Sequence, residues 1–434
     1  MRNSSGKKLI VSVGSAWHRL PIIALLLISM GFIGTAAHAQ TFSVIHNFTN
    51  GPDGGYPFGV IAIDRAGNLY GSSDGGANNG TGVVFKLAHA RSGWVFTPLH
   101  TFSLAEGEGP VGVTLGPDGN VYGATARSGA GGSCNGAGCG SVFKISPQPT
   151  RCASVLCPWV ATILYRFAGG AAGGNPSSGV TLDSSGNVYG DAPYGYTGGF
   201  CLSDGGCGLV YQVTHSSGQW LENVLYDFTW ADDGAFPEGI LAVDSAGNLF
   251  GSTSAGGTNG NGTLFQLTPS GSGWSLNTLY SFGFCCDVGV YGSTGLILDA
   301  SGTLYGMTPH GGIQNCQVGC GVVFSLAPAN GGWTYNELYR FTGLNGDGNP
   351  SAPLAMDTAG NLYGTTQGVG SVPGTVFKLT PSNGSWTYTL LHQFSGPDGY
   401  SPRSNVLIDV NGNLYGTTYV GGSNGDGTVW EITP

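Results

Sequence analysis

Short runs of Val, Ile, Leu, Phe and Tyr alternate along this chain with runs of Gly, Asn, Asp, Ser and Pro. The alternation is itself periodic. An acid, a turn and an apolar-aromatic-glycine step recur as DRAGNLYG (64–71), GPDGNVYG (116–123), DSSGNVYG (183–190), DSAGNLFG (244–251), DASGTLYG (299–306), DTAGNLYG (357–364) and DVNGNLYG (409–416). The closing glycines lie 52, 67, 61, 55, 58 and 52 residues apart. An apolar segment precedes each acid, as in GVIAID (59–64). A second apolar segment follows, as in GVVFKL (82–87), GTVFKL (374–379) and GTVWEI (427–432). A tryptophan and a Leu-aromatic-x-Phe pattern close the unit, from Trp94 to Phe102 in the first unit and from Trp386 to Phe394 in the sixth.

Four short β-prone segments bounded by turn residues predict four strands per unit. Neighbouring apolar residues such as Leu69-Tyr70 and Val376-Phe377 must face opposite sides of a strand, so both sheet faces need cover. Four-stranded sheets repeated radially make a β-propeller, whereas β-helices and leucine-rich solenoids need shorter repeats. The seventh unit stops after its third strand at Ile432, and TFSVIHNF (41–48) matches the fourth-strand ending of TLLHQF (389–394). The expectation is an all-β, seven-bladed propeller over residues 40–434, its last blade closed by the N-terminal strand.

In D-x-x-G-N the acid suits the first position of a type I turn, and the glycine suits a left-handed bulge position. A calcium loop needs several alternating oxygen ligands and a later Glu, which none of the seven copies supplies. The motif therefore reads as scaffold, and any site belongs where the copies diverge.

The tandem order GNLYGTT, GTVFKLTP, Trp, LYSF resembles the GloVer repeat of bacterial exported proteins, named from Gloeobacter and Verrucomicrobia, across essentially the whole of residues 40–434. More loosely, the order P-x-x-x-hydrophobic-x-x-D-x-x-G-N-hydrophobic-Y looks like NHL and streptogramin-lyase propellers. The resemblance implies a propeller and no family-wide activity or catalytic residue.

Arg2, Lys7, Lys8 and Arg19 lead an apolar run, PIIALLLISMGFIG, that ends at Ala37-His38-Ala39. This is the pattern of a secretory signal, so residues 1–39 are expected to be cleaved and the remainder secreted, with no membrane span. Losing those four basic residues shifts the net charge from −10 to −14, which argues against nucleic acid as a partner. Ten cysteines in close pairs suit disulfides in an oxidising compartment: Cys134/Cys139, Cys152/Cys157, Cys201/Cys207, Cys285/Cys286 and Cys316/Cys320. Zinc fits less well, because no histidine lies near any pair.

In a propeller the second-to-third loops and the blade links share one face. The loops carry Asp74, Arg127, Tyr194, His310 and Tyr419, while the links carry Asp53, Glu108, Asp233, Asp347 and Asp398 with Tyr56, Phe236 and Tyr400. Acids beside aromatics suit carbohydrate hydroxyls with ring stacking, a cationic ligand, or calcium. The same Asp-Gly-x-x-Pro runs also serve as ordinary turns. His310, in MTPHGG, is the lone candidate base on that face. No metal site is assigned, and no cofactor other than calcium is suggested. The expected function is a monomeric, non-enzymatic extracellular binding or surface-interaction module for a carbohydrate or cell-surface partner. The alternatives are a propeller-type polysaccharide lyase or hydrolase, and a structural cell-envelope protein.

Overall fold

A computed structural model describes residues 40–76, 80–129, 134, 138–148, 159–195, 201, 206–271, 273–283, 294–312 and 319–434. The signal-like segment, Cys152, Cys157, Cys285, Cys286 and Cys316 lie outside these residues. Among the described residues no helix is long and apolar enough to cross a membrane.

The strands form seven antiparallel sheets in chain order. Blade 6 is representative. A short innermost strand, Ala355–Met356, is followed outward by Leu362–Thr366, Thr375–Ser382 and Ser385–Gln393. In blade 7 the outermost place is taken by Thr41–Asn47, which pairs with Thr428–Thr433 from Thr41↔Thr433 to Asn47↔Thr428. The N-terminal strand thus closes the last blade, and Phe48 sits fully buried in the core between blades 7 and 1.

One apolar cluster lies between each successive pair of blades. Sequence neighbours separate as a pleated strand requires. Leu69 joins the blade 7–1 core and Tyr70 the blade 1–2 core, while Val376 and Phe377 divide in the same way. The motif's closing glycine has a packing cause. A Cβ on Gly71 would lie 2.5 Å from the Phe85 ring opposite, and one on Gly416 would lie 2.2 Å from Trp430.

The motif acid is a multiple acceptor. Asp64 Oδ1 accepts the Ala66 and Asn68 backbone N–H groups, and Oδ2 accepts the Asn68 amide and the Tyr70 hydroxyl. The same latch appears at Asp183, Asp357 and Asp409. Gly67 has φ 81°, the left-handed bulge expected after a type I turn. The motif tyrosine is therefore a latch as well as a core residue.

Around the central channel, bonds join every blade to the next. Val113 N–H donates to Val60 O at 2.9 Å, Thr114 Oγ1 to Val180 O at 2.6 Å, and Thr181 Oγ1 to Leu241 O at 2.6 Å. Ile240 bridges Gly295, Thr294 Oγ1 donates to Ala352 O at 2.9 Å, and Thr365 Oγ1 to Ser404 O at 3.2 Å. Asn405 Oδ1 completes the ring by accepting Ile61 N–H at 2.9 Å.

Candidate functional site

The blade links begin with a recurrent structural bond. Asp53 accepts from the Thr49 backbone at 3.1 Å and lies 3.2 Å from His46 Nε2. Asp233 accepts from the Thr229 N–H, the Thr229 hydroxyl and the Tyr226 hydroxyl. Asp398 accepts from the Ser395 N–H and hydroxyl, with His392 Nε2 at 2.9 Å. Asp347 repeats the pattern with Thr342 and Tyr339. The link acids thus satisfy link backbone, and histidine substitutes for tyrosine as their partner. Burial lowers the pKa of His46 and His392, and the facing aspartates offset only part of this.

Arg127 and Asp74 meet at 2.8 Å, with Glu108 3.6 Å from the same guanidinium nitrogen, which ties blade 1 to blade 2. Burial would lower the Arg127 pKa, but these two carboxylates hold it above the usual value. His310 is half-buried, its carbonyl accepts the Thr308 hydroxyl, and burial lowers its imidazole pKa. Tyr400 donates to Gly370 O at 3.2 Å. Among the described residues, no group of three or more His, Cys, Asp or Glu side chains is placed to hold a metal ion.

The aromatics form two groups on the rim. Tyr56 and Tyr419 have ring centroids 5.5 Å apart, and the Arg403 guanidinium lies 4.3 Å from the Tyr419 centroid, within cation–π range. Tyr194, 38% exposed, lies 6.2 Å from Phe236, which also meets Trp230 at 5.7 Å. Tyr56 and Phe236 have φ of 57° and 54°. The residue before the first-strand proline is left-handed in six blades, and the other four are Gly109, Asn175, Asn349 and Ser401. Asn and Gly tolerate that conformation, whereas a bulky aromatic is strained by it.

Between these groups the channel mouth opens into a cavity of about 360 Å³ reached by all seven blades, within the size range of small-ligand sites. Its walls include Phe58, Ser177, Ser178, Glu238, Gln367 and Arg403, with Val60, Val111, Ile240 and several prolines. Glu238 is exposed to this channel. Surrounding protein raises its pKa, and Ser254 only partly counters the shift.

This wall lies largely apart from the variable loops, because the channel is lined mainly by first strands. The signal was present in the repeat. The residue after the first-strand proline is Phe58, Val111, Ser177, Glu238, Ser351 or Arg403, different in nearly every blade. Asp191, on a second strand, breaks the repeat in a similar way. It occupies the slot filled by Ser72, Ala124, Ser252, Met307, Thr365 and Thr417 in the other units.

Of the proposed disulfides, Cys134–Cys139 and Cys201–Cys207 are formed. Cys320 is also disulfide-bonded.

Seven radial four-stranded sheets about a channel define a β-propeller. The chain belongs to the Gloeobacter/Verrucomicrobia repeat family, which it matches over residues 31–202, 158–319 and 202–430. No curated protein matches the sequence. Similar solved structures include an ulvan lyase, a polysaccharide lyase, at 9% identity and TM-score 0.56, covering 91% of this chain and 95% of that one. A fungal alcohol oxidase in complex with copper is similar at 14% identity and TM-score 0.52, covering 87% and 75%. At such identities the likeness is one of fold.

Proposed function

We propose that this propeller is a secreted, non-enzymatic carbohydrate-binding module, acting as a monomer and taking its ligand at the channel mouth. The observation that carries the reading is the pair of strained aromatics, Tyr56 and Phe236, held left-handed near a mostly apolar cavity that presents a few polar side chains. Backbone strain of this kind persists where the surroundings over-determine it, often at ligand sites. A sugar ring offers C–H faces for aromatic stacking and hydroxyls for Ser177, Ser178, Gln367, Glu238 and Arg403. Disulfides and the signal-like leader support export.

Calorimetric titration with a panel of polysaccharides tests this. Tyr56→Gly is expected to weaken binding at least about tenfold while leaving the protein as stable or about 1 kcal/mol more so, because glycine relieves the left-handed strain. Absence of binding to every polysaccharide would refute the reading. Cleavage of a bound chain would favour the second reading, a lyase or hydrolase, for which the channel-facing carboxyl of Glu238 is the supporting observation.

A further inference from the structure

Asp191 is the most unusual charged residue in the propeller. It lies on the second strand of blade 3, opposite Val210, in a slot where the other units hold a small, hydroxyl or thioether side chain. It is 1% exposed. Ser178 on the cavity wall donates to Oδ1 at 3.1 Å, while Oδ2 has no hydrogen-bond partner. Ser177 Oγ, on the same wall, is also buried and makes no hydrogen bond of good geometry, although it lies near enough to Asp191 to favour its charge. Such groups are expensive to leave unpaired. Glu238, across the blade 3–blade 4 boundary, lines the same cavity and repels charge on Asp191.

We propose that Asp191, Glu238, Ser177 and Ser178 form a subsite for the ammonium group of an amino sugar. This rests on the carbohydrate reading above and names the class of sugar. Burial, followed by the charge of Glu238, raises the Asp191 pKa in the empty protein, despite Ser178 and Ser177 favouring the charged form. An arriving ammonium takes the place of that proton, which passes to solvent. Three N–H donors then meet the orphaned Oδ2, the Glu238 carboxylate and a serine hydroxyl. A calcium ion takes six to eight oxygens, so it would need all six oxygens of the two carboxylates and two hydroxyls, including Asp191 Oδ1, which already accepts from Ser178. An ammonium carried on a sugar ring also uses the adjoining cavity and its aromatic rim.

The test is calorimetric titration of the mature chain with three β-1,4-linked tetrasaccharides, of glucosamine, N-acetylglucosamine and glucose, and with calcium chloride alone. It is run at about pH 6, where an amine is protonated. The glucosamine oligomer is expected to bind at least about tenfold tighter than the other two, with proton release. Asp191→Ser and Glu238→Gln are each expected to bring the three oligomers within about twofold of one another. Asp191→Asn, which keeps the side chain's shape, serves if the serine variant does not fold. Equal binding of all three oligomers would overturn the ammonium subsite and leave the carbohydrate reading standing. Binding of none would overturn both. A glucosamine preference that survives in every variant, or Asp191-dependent binding of calcium without that preference, would also overturn the proposal.

Discussion

Two carboxylates in this protein show what repetition does and what its interruption does. Asp357, in the turn of blade 6, accepts two backbone N–H groups, an asparagine amide and a tyrosine hydroxyl. Burial works against its charge, but these donors outweigh it and hold the pKa below the usual carboxylate range. At Asp118 the same balance, helped by Lys144, brings the pKa to about 2. Asp191 is more deeply buried, has one hydroxyl donor, and shifts the opposite way. The turn recurs in every blade and stabilises the sheet that it starts. Asp191 occurs once, is held by Ser178 of the cavity wall and has far fewer donors than the turn acid, so its sequence position serves something other than the blade.

The largest expected effect tests the scaffold side of this contrast. Phe377→Ala empties the blade 5–6 core and should cost about 3–5 kcal/mol in denaturant melts, whereas Glu238→Ala at the mouth should cost under about 0.5 kcal/mol. Comparable losses would erase the distinction between a stabilising frame and a variable mouth.

A smaller pair of opposite sign goes to the two carboxylates directly. Asp357→Ala strands several donors and should destabilise by about 1–3 kcal/mol at neutral pH. Its folded pKa is lowered, so the stability it contributes is present above the unfolded value and fades as pH falls through the folded one. Asp191→Ser should instead stabilise by about 1–3 kcal/mol at neutral pH. The folded pKa of Asp191 is raised, so the parent loses stability as pH rises from the unfolded value toward the folded one, and the variant should not. Denaturant melts at acid and neutral pH decide both. A destabilised Asp191→Ser would place Asp191 among the structural acids.

Glu222, on the outer strand of blade 3, offers a similar effect away from the mouth. Burial pushes its pKa to about 7, with Asp227 adding to the shift and Tyr165 opposing it. Glu222→Gln should therefore gain about 1–2 kcal/mol over the parent at pH 8 and nothing near pH 4, below its unfolded value. An equal gain at both pH values would show that packing, not charge, is responsible.

The smallest effect concerns the links. The pKa of His392 is lowered in the fold, so the parent should lose stability as pH falls below the ordinary histidine value of about 6.5. His392→Tyr, the residue type that serves Asp233 and Asp347, should reduce that loss by a few tenths of a kcal/mol. Unchanged pH dependence in thermal melts would show that the histidine partner does not matter.

Much of this was legible in the repeat. The turn of Asp409, the bulge at Gly412, and the separation of Leu69 from Tyr70 follow from local chemistry and strand period. In sequence the motif tyrosine shows only its packing role, because its hydroxyl bond to the acid six residues earlier requires the hairpin to be folded first. The link acids Asp53, Asp233 and Asp398 looked available as ligands, because their donors, such as Thr229 and Tyr226, serve turn and strand at once.

What the sequence determined by itself is the blade: its four strands, its turns, the number of copies and the strand that closes the ring. These depend on side-chain period and on contacts repeated seven times, so one chain displays its own pattern. What only the tertiary structure decided is the mouth. There Tyr56 of blade 1 meets Tyr419 of blade 7, and Glu238 of blade 4 comes beside the Ser178–Asp191 pair of blade 3, because radial packing brings neighbouring blades together around one axis. Those contacts occur once each, between residues with no shared motif, and the packing of the folded blades is their sole common cause.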